Sequence, residues 1–283
     1  MSAVVLDGLE LSKKIKAELA IEVAEMIQKG VTPGLAVIIV EGDPASRVYV
    51  NAKKKDCAEI GIKSFEFELP NDVSEHELLA LVEKLNQDDE VHGILCQLPL
   101  PKHINEQKII NTISPSKDAD CFHPFNVGLL VTGKPSFQPC TPAGIMELIR
   151  LTGIEVSGKE CVVVGRSNIV GKPMALMMLA QNGTVTVCHS KTKDLAEVCR
   201  RADILVAAVG KANMITADMV KTGAIVIDVG VTRMEDRKLC GDVKFDEVSE
   251  VASAITKVTG GVGPMTRAIL MKNTVYAARK KQT

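Results

Sequence analysis

The feature that most limits how this chain can fold is the regular exchange of two hydrophobic periods. Segments with apolar residues at helical spacing include "GLELSKKIKAELAIEVAEMIQKG", which stops at Gly30, and "SEHELLALVEKLNQD", where Ser74 and Glu77 form a capping box. They alternate with short, nearly continuous apolar runs: "GLAVIIVEG", "VHGILCQLPLP", "ECVVVG", "ADILVAAVG" and "GAIVIDVG". Such runs are buried strands, and strands separated by helices are parallel, so the class is α/β. "DPAS" offers Asp43 as an N-cap and Pro44 as the first residue of a helix reaching Gly61, while "KSFEFELP" alternates as a strand.

Between about 114 and 144 the pattern loosens into a Pro- and Gly-rich stretch without a long periodic segment. Long irregular segments of that kind are functional or join domains. The expectation is an α/β domain over 1–139 and a Rossmann-like domain over 140–264. The C-terminal helix, 265–283, returns to complete the first.

The chain has 283 residues, 34 basic and 35 acidic, for a net charge of -1. That balance favours neither nucleic acid nor a membrane surface as partner and suits a small neutral or anionic ligand. No apolar run approaches the roughly 20 residues of a membrane span, and "MSAVVLDGLE" lacks the basic start and apolar core of a secretory leader. A cytoplasmic location is expected. The eight cysteines show no C-x-x-C and are read as buried free thiols; the five histidines show neither H-x-x-x-H nor H-E-x-x-H, so no metal is expected.

Two stretches carry chemistry. After the strand "CVVVG" comes "GRSNIVGKP", where Gly165 ends the strand and Gly171 permits close helix packing, the physics of a dinucleotide turn without its commonest G-x-G-x-x-G spelling. The next strand ends in "CHSKT", with Ser190 and Lys191 where an NAD site would place a carboxylate. With Arg166 also at hand, a 2′-phosphate is welcomed, and NADP is preferred over NAD. The pattern also allows a plain strand-to-helix turn with ordinary loop residues.

The second stretch is "SRVYVNAKKK". On a helix, with Tyr49 at zero, Lys53 lies about 40° away, Lys54 about 140° and Lys55 about 240°. Only Lys53 shares the tyrosine's face; the others are solvated charges. A lysine partly desolvated beside cationic neighbours has its pKa pushed down, which suits proton transfer. A lysine stem covering a tyrosine on a surface fits the same spacing.

"YVNAK", "GILCQLPLP", "KDADCFHP", "GRSNIVGKP" and "GGVGPMT" stand in one order along the chain. In this the sequence resembles the bifunctional methylenetetrahydrofolate dehydrogenase/methenyltetrahydrofolate cyclohydrolase family, called FolD in bacteria, over nearly its whole length. The resemblance implies two α/β domains flanking a cleft, the second binding NADP, and a homodimer. It implies oxidation of 5,10-methylenetetrahydrofolate to the methenyl form, then hydrolysis to 10-formyltetrahydrofolate. By resemblance Lys53, Tyr49 and Gln97 are catalytic, Tyr49 also stacking beside the folate. Asp120 binds the pterin, and Ser46, Gly261 and Pro264 also contact substrate. Gly165, Arg166, Ser167, Ser190 and Val231 contact the cofactor. The residues alone favour reading Gln97 as a strand-end group and Asp120 as a turn-former.

The sequence departs from the family where Cys121 replaces the glycine of D-V-D-G-F and where Lys257 and Thr259 replace two prolines. A Cβ at 121 disfavours positive φ and is expected to shift Asp120. A dehydrogenase without the hydrolytic step, or a non-catalytic nucleotide-binding module, are the alternatives.

Overall fold

A computed structural model of the chain describes residues 2–41, 44–234 and 238–281, with backbone alone at 44–46. The expected cap Asp43 lies outside the described residues. In chain order the elements are β1 Val4–Leu6, α1 Gly8–Gln28, β2 Gly34–Val40, α2 Pro44–Ile60, β3 Lys63–Leu69, α3 Glu75–Gln87 and β4 Gly93–Cys96. Next come α4 Glu106–Thr112, α5 Pro124–Val131, α6 Cys140–Leu151, β5 Glu160–Val164, α7 Gly171–Ala180, β6 Thr184–Cys188, α8 Leu195–Arg200 and β7 Ile204–Ala207. The last are β8 Ile225–Asp228, β9 Thr232–Arg233, β10 Leu239–Cys240, α9 Phe245–Val248, β11 Ala254–Thr256 and α10 Val262–Lys280. No helix among the described residues is long and apolar enough to cross a membrane.

The chain divides into two compact units. One holds Lys13–Gln138 and Arg267–Thr283. Its sheet is parallel, in the order β3-β2-β4. All seven residues of β2 are buried, as expected of a central strand covered on both faces. Ser74 and Glu77 form the expected capping box of α3, whose Leu78, Val82 and Leu85 enter a core with Ile38 and Ile94.

The other unit holds Met1–Ser12 and Pro139–Thr266. Its six strands are parallel in the order β1-β11-β8-β7-β5-β6. From β5 the chain steps outward to β6, then crosses back to place β7 on the other side of β5. That reversal makes the gap between the carboxyl ends of β5 and β7 a topological switch point, where open α/β sheets bind ligands.

Three boundaries differ from the sequence reading. Residues up to 12 belong with the Rossmann-like unit, not with 13–138, because Val4–Leu6 pairs residue for residue with Ala254–Thr256 and Ala3 joins that core. A three-residue strand is too short for its period to show. The last helix begins at Val262, so Pro264 sits within its first turn, where its missing N–H costs nothing. The loose stretch contains α5, with Pro124 at its start and the His123 side chain accepting from the Phe125 N–H.

Candidate active site

In the first unit the helix α2 is unbroken from Pro44 to Ile60, so Tyr49 and Lys53 are one turn apart on one face. Lys53 is 8% exposed, whereas Lys54 and Lys55 are exposed and Lys54 pairs with Glu66 at 3.1 Å. Tyr49 remains 40% exposed, its ring open to a partner. Side chains at 44–46, Ser46 among them, lie outside what is described.

Gln97 follows the carboxyl end of β4, with its N–H bonded to the Ile38 carbonyl at 2.8 Å. Its side chain is turned by a second bond: Nε2 donates to the Leu98 carbonyl at 2.8 Å, which leaves Oε1 to accept from Lys53 Nζ at 2.8 Å. Sequence alone left Gln97 as a strand-end residue; the structure brings it onto Lys53. The helix carrying Lys53 is anchored by buried Asp56, which accepts from Lys16 Nζ at 2.8 Å and Arg267 Nε at 2.6 Å. Burial pulls the Lys16 pKa down, but its bonds to Asp56 and Glu59 outweigh this and raise it.

In "DAD", Asp118 forms a turn: it is 3% exposed and accepts from the N–H groups of Phe122 (3.0 Å) and His123 (2.9 Å) and from Asn126 Nδ2 (2.8 Å). Asp120 is half-buried. A backbone bond from Ile94 N–H to the Lys117 carbonyl lays this segment beside β4. Burial pushes the Cys96 thiol up to about 12, with the charges of Glu106 and Asp120 adding to it. Cys121 adopts φ 63 despite its Cβ, is 1% exposed, and its Sγ bonds the Phe137 carbonyl at 3.5 Å. A left-handed backbone at a residue that carries a Cβ costs about 1–2 kcal/mol.

In the second unit Gly165 ends β5 at φ 135, and a Cβ there would lie 2.3 Å from the Ala208 carbonyl oxygen. A Cβ on Gly171 would lie 2.2 Å from the Gly165 oxygen, so both glycines are required by close approach of backbone. The Ser167 hydroxyl accepts from the N–H groups of Val170 (3.1 Å) and Gly171 (3.3 Å), closing the turn into α7. Parallel pairing of Val164 with Cys188, continued by Gly165 N–H to the Cys188 carbonyl at 2.9 Å, releases Arg166 and the 189–192 turn side by side. That turn is closed by His189 N–H to Thr192 Oγ1 at 2.8 Å, leaving Ser190 and Lys191 exposed beside exposed Arg166. From 189 to 193 there is no carboxylate. The donor set fits a phosphorylated ribose and not a bare one.

Val231 is 47% exposed at the end of the loop leaving β8. Gly261 is packed by its own chain, since a Cβ would lie 2.4 Å from the Lys257 oxygen, while Gly263 meets nothing within 4 Å. The anchors Asp56, Asp118, Asp228 and Asp242 were missed from sequence, because a buried carboxylate's bonds to backbone, amide or cation leave no periodic mark.

A family model described as "Tetrahydrofolate dehydrogenase/cyclohydrolase, NAD(P)-binding domain" matches residues 139–282, and one described as "Tetrahydrofolate dehydrogenase/cyclohydrolase, catalytic domain" matches residues 6–120. The "Bifunctional protein FolD" of Ruminiclostridium cellulolyticum is 67% identical over 277 residues, covering 98% of each chain. Among solved structures, the bifunctional FolD of Campylobacter jejuni superposes with TM-score 0.97 at 51% identity, covering 99% of this chain and 100% of that one. The Trypanosoma brucei methylenetetrahydrofolate dehydrogenase-cyclohydrolase, complexed with NADP cofactor and inhibitor, gives 0.96 at 41% identity, covering 100% and 99%. Matched in both halves by the models of one family and aligned end to end with its relatives, the chain belongs to the tetrahydrofolate dehydrogenase/cyclohydrolase family.

Proposed function

We propose that the chain oxidises 5,10-methylenetetrahydrofolate with NADP to 5,10-methenyltetrahydrofolate and hydrolyses that product to 10-formyltetrahydrofolate, consecutive steps of one-carbon metabolism. The observation that carries the hydrolytic half is the buried Lys53–Gln97 pair. Gln97 Oε1 aims Lys53 Nζ, a group that can give or take a proton as water adds to the methenyl carbon and the ring opens.

Tyr49 offers its open ring to the planar pterin, and Asp120 offers a carboxylate to the N–H edge of its aminopyrimidine. NADP, when bound, accepts the hydride from the methylene carbon; the chain's part is alignment. Arg166, Ser190 and Lys191 favour the 2′-phosphate. Arg166→Ala is expected to weaken NADP by about 1–3 kcal/mol while leaving NAD nearly unchanged. Equal losses for the two nucleotides in a titration would overturn the role of Arg166.

Cys121→Gly is expected to leave folate affinity and melting temperature nearly unchanged, because relief of the left-handed backbone offsets the lost side-chain packing. A large loss of folate affinity with NADP binding intact would instead assign the thiol a part in holding Asp120.

The direct test of the hydrolytic half supplies authentic 5,10-methenyltetrahydrofolate without nucleotide and follows its chromophore. Decay no faster than the spontaneous rate would sink it. A homodimer formed through the Rossmann-like unit is supported by the outer edge of β6, which lacks a partner strand among the described residues, and by exposed Leu179 and Val187 beside it. Sedimentation should then give twice the chain mass, and a monomer would refute it. All eight cysteines are free and seven are buried, which supports a reducing, cytoplasmic setting; fractionation of the source cell would check it.

A further inference from the structure

The Rossmann-like unit contains two carboxylates that the chemistry above does not use. Asp242 is wholly buried and accepts from three successive backbone N–H groups, those of Val209 (2.6 Å), Gly210 (3.1 Å) and Lys211 (2.7 Å). Asp228, 4% exposed at the end of β8, accepts from the N–H groups of Gly230 (3.0 Å), Asp242 (2.9 Å) and Val243 (3.0 Å). Asp228 thus grips the backbone of Asp242 itself, and Asp242 in turn grips the loop after β7. The fit leaves no slack: a Cβ on Gly230 would lie 2.2 Å from Asp242 Oδ1, and one on Gly241 would lie 1.8 Å from Asp228 Oδ2.

The segments so gripped are the loops that leave the carboxyl ends of β7 and β8. Ala208, at the start of the first, packs on Gly165 across the switch point, and Val231 ends the second. We propose that Asp228 and Asp242 are positioning residues for the dinucleotide, setting the two loops that form one wall of its seat. This rests on the NADP reading above. Charge is kept here at a cost: burial pushes the Asp228 carboxyl up to about 6, and the Asp242 charge adds to it, against three N–H bonds that favour the ionised form. An amide is no substitute. Both oxygens of each carboxylate are in use, so an asparagine in either orientation sets an NH₂ against a backbone N–H.

The test is Asp242→Asn, with Asp228→Asn beside it, using the full chain. NADP binding by calorimetry is expected to weaken by about tenfold or more, and KM for NADP to rise accordingly. The kcat for hydride transfer at saturating NADP should change far less, and hydrolysis of supplied 5,10-methenyltetrahydrofolate should be kept. Unchanged NADP affinity in both variants would overturn the proposal. So would joint loss of hydrolysis and cooperative melting in both, which would make the pair a support of the whole fold. If the parent chain itself binds no NADP, the cofactor reading fails and this proposal falls with it.

Discussion

Lys53→Met is expected to abolish hydrolysis of 5,10-methenyltetrahydrofolate while NADP binding and the fold persist. Methionine keeps the four-atom apolar stem of a side chain that is 8% exposed and drops only its terminal nitrogen, so packing changes little. What disappears is the nitrogen held by Gln97 Oε1 at 2.8 Å. The orphaned amide oxygen costs about 1–3 kcal/mol of stability, which a melting curve registers. Hydride transfer depends on alignment more than on a proton carrier, so part of it survives and the methenyl product accumulates. Lys54→Met and Lys55→Met serve as controls: both side chains are exposed, and the Lys54–Glu66 pair at 3.1 Å contributes no more than about 1 kcal/mol. Their activities should stay close to the parent's. A control as damaging as Lys53→Met would refute the assignment.

The second large effect is expected from Gly165→Ala. At φ 135 an alanine is strained whatever its surroundings, and its Cβ would also fall 2.3 Å from a backbone oxygen and 3.0 Å from the carbonyl carbon of Ala208. Neither atom belongs to a side chain that can rotate away. The β5 and β7 ends must part, at a cost of about 3 kcal/mol or more, and the turn that faces the nucleotide opens with them. NADP binding should be lost to below detection by calorimetry, with hydrolysis of supplied methenyltetrahydrofolate retained by the other unit. NADP affinity near the parent's would show that the glycine serves packing alone.

Much of this was legible in sequence, and the reasons are local. The 100° step of a helix was enough to single out Lys53 from its neighbours, and burial follows that phase. Continuous apolar runs announced β2, β5, β7 and β8 because each is covered on both faces. What escaped was set by particular bonds and close approaches that leave no periodic mark. Val4–Leu6 joins the far unit through ladder bonds to Ala254–Thr256, which three apolar residues cannot advertise. The turn formed by Asp118 rests on bonds to Phe122, His123 and Asn126. A Cβ on Gly261 would lie 2.4 Å from the Lys257 carbonyl oxygen, a close approach that no pattern in the sequence marks.

The coupling of two chemistries in one chain is tested most directly by mixing the protein with 5,10-methylenetetrahydrofolate and NADP and recording NADPH, the methenyl chromophore and 10-formyltetrahydrofolate together. One 10-formyltetrahydrofolate should appear per NADPH, formed faster than spontaneous hydrolysis of the methenyl pool allows. NADPH production accompanied by a methenyl pool that decays only at its uncatalysed rate would contradict the account.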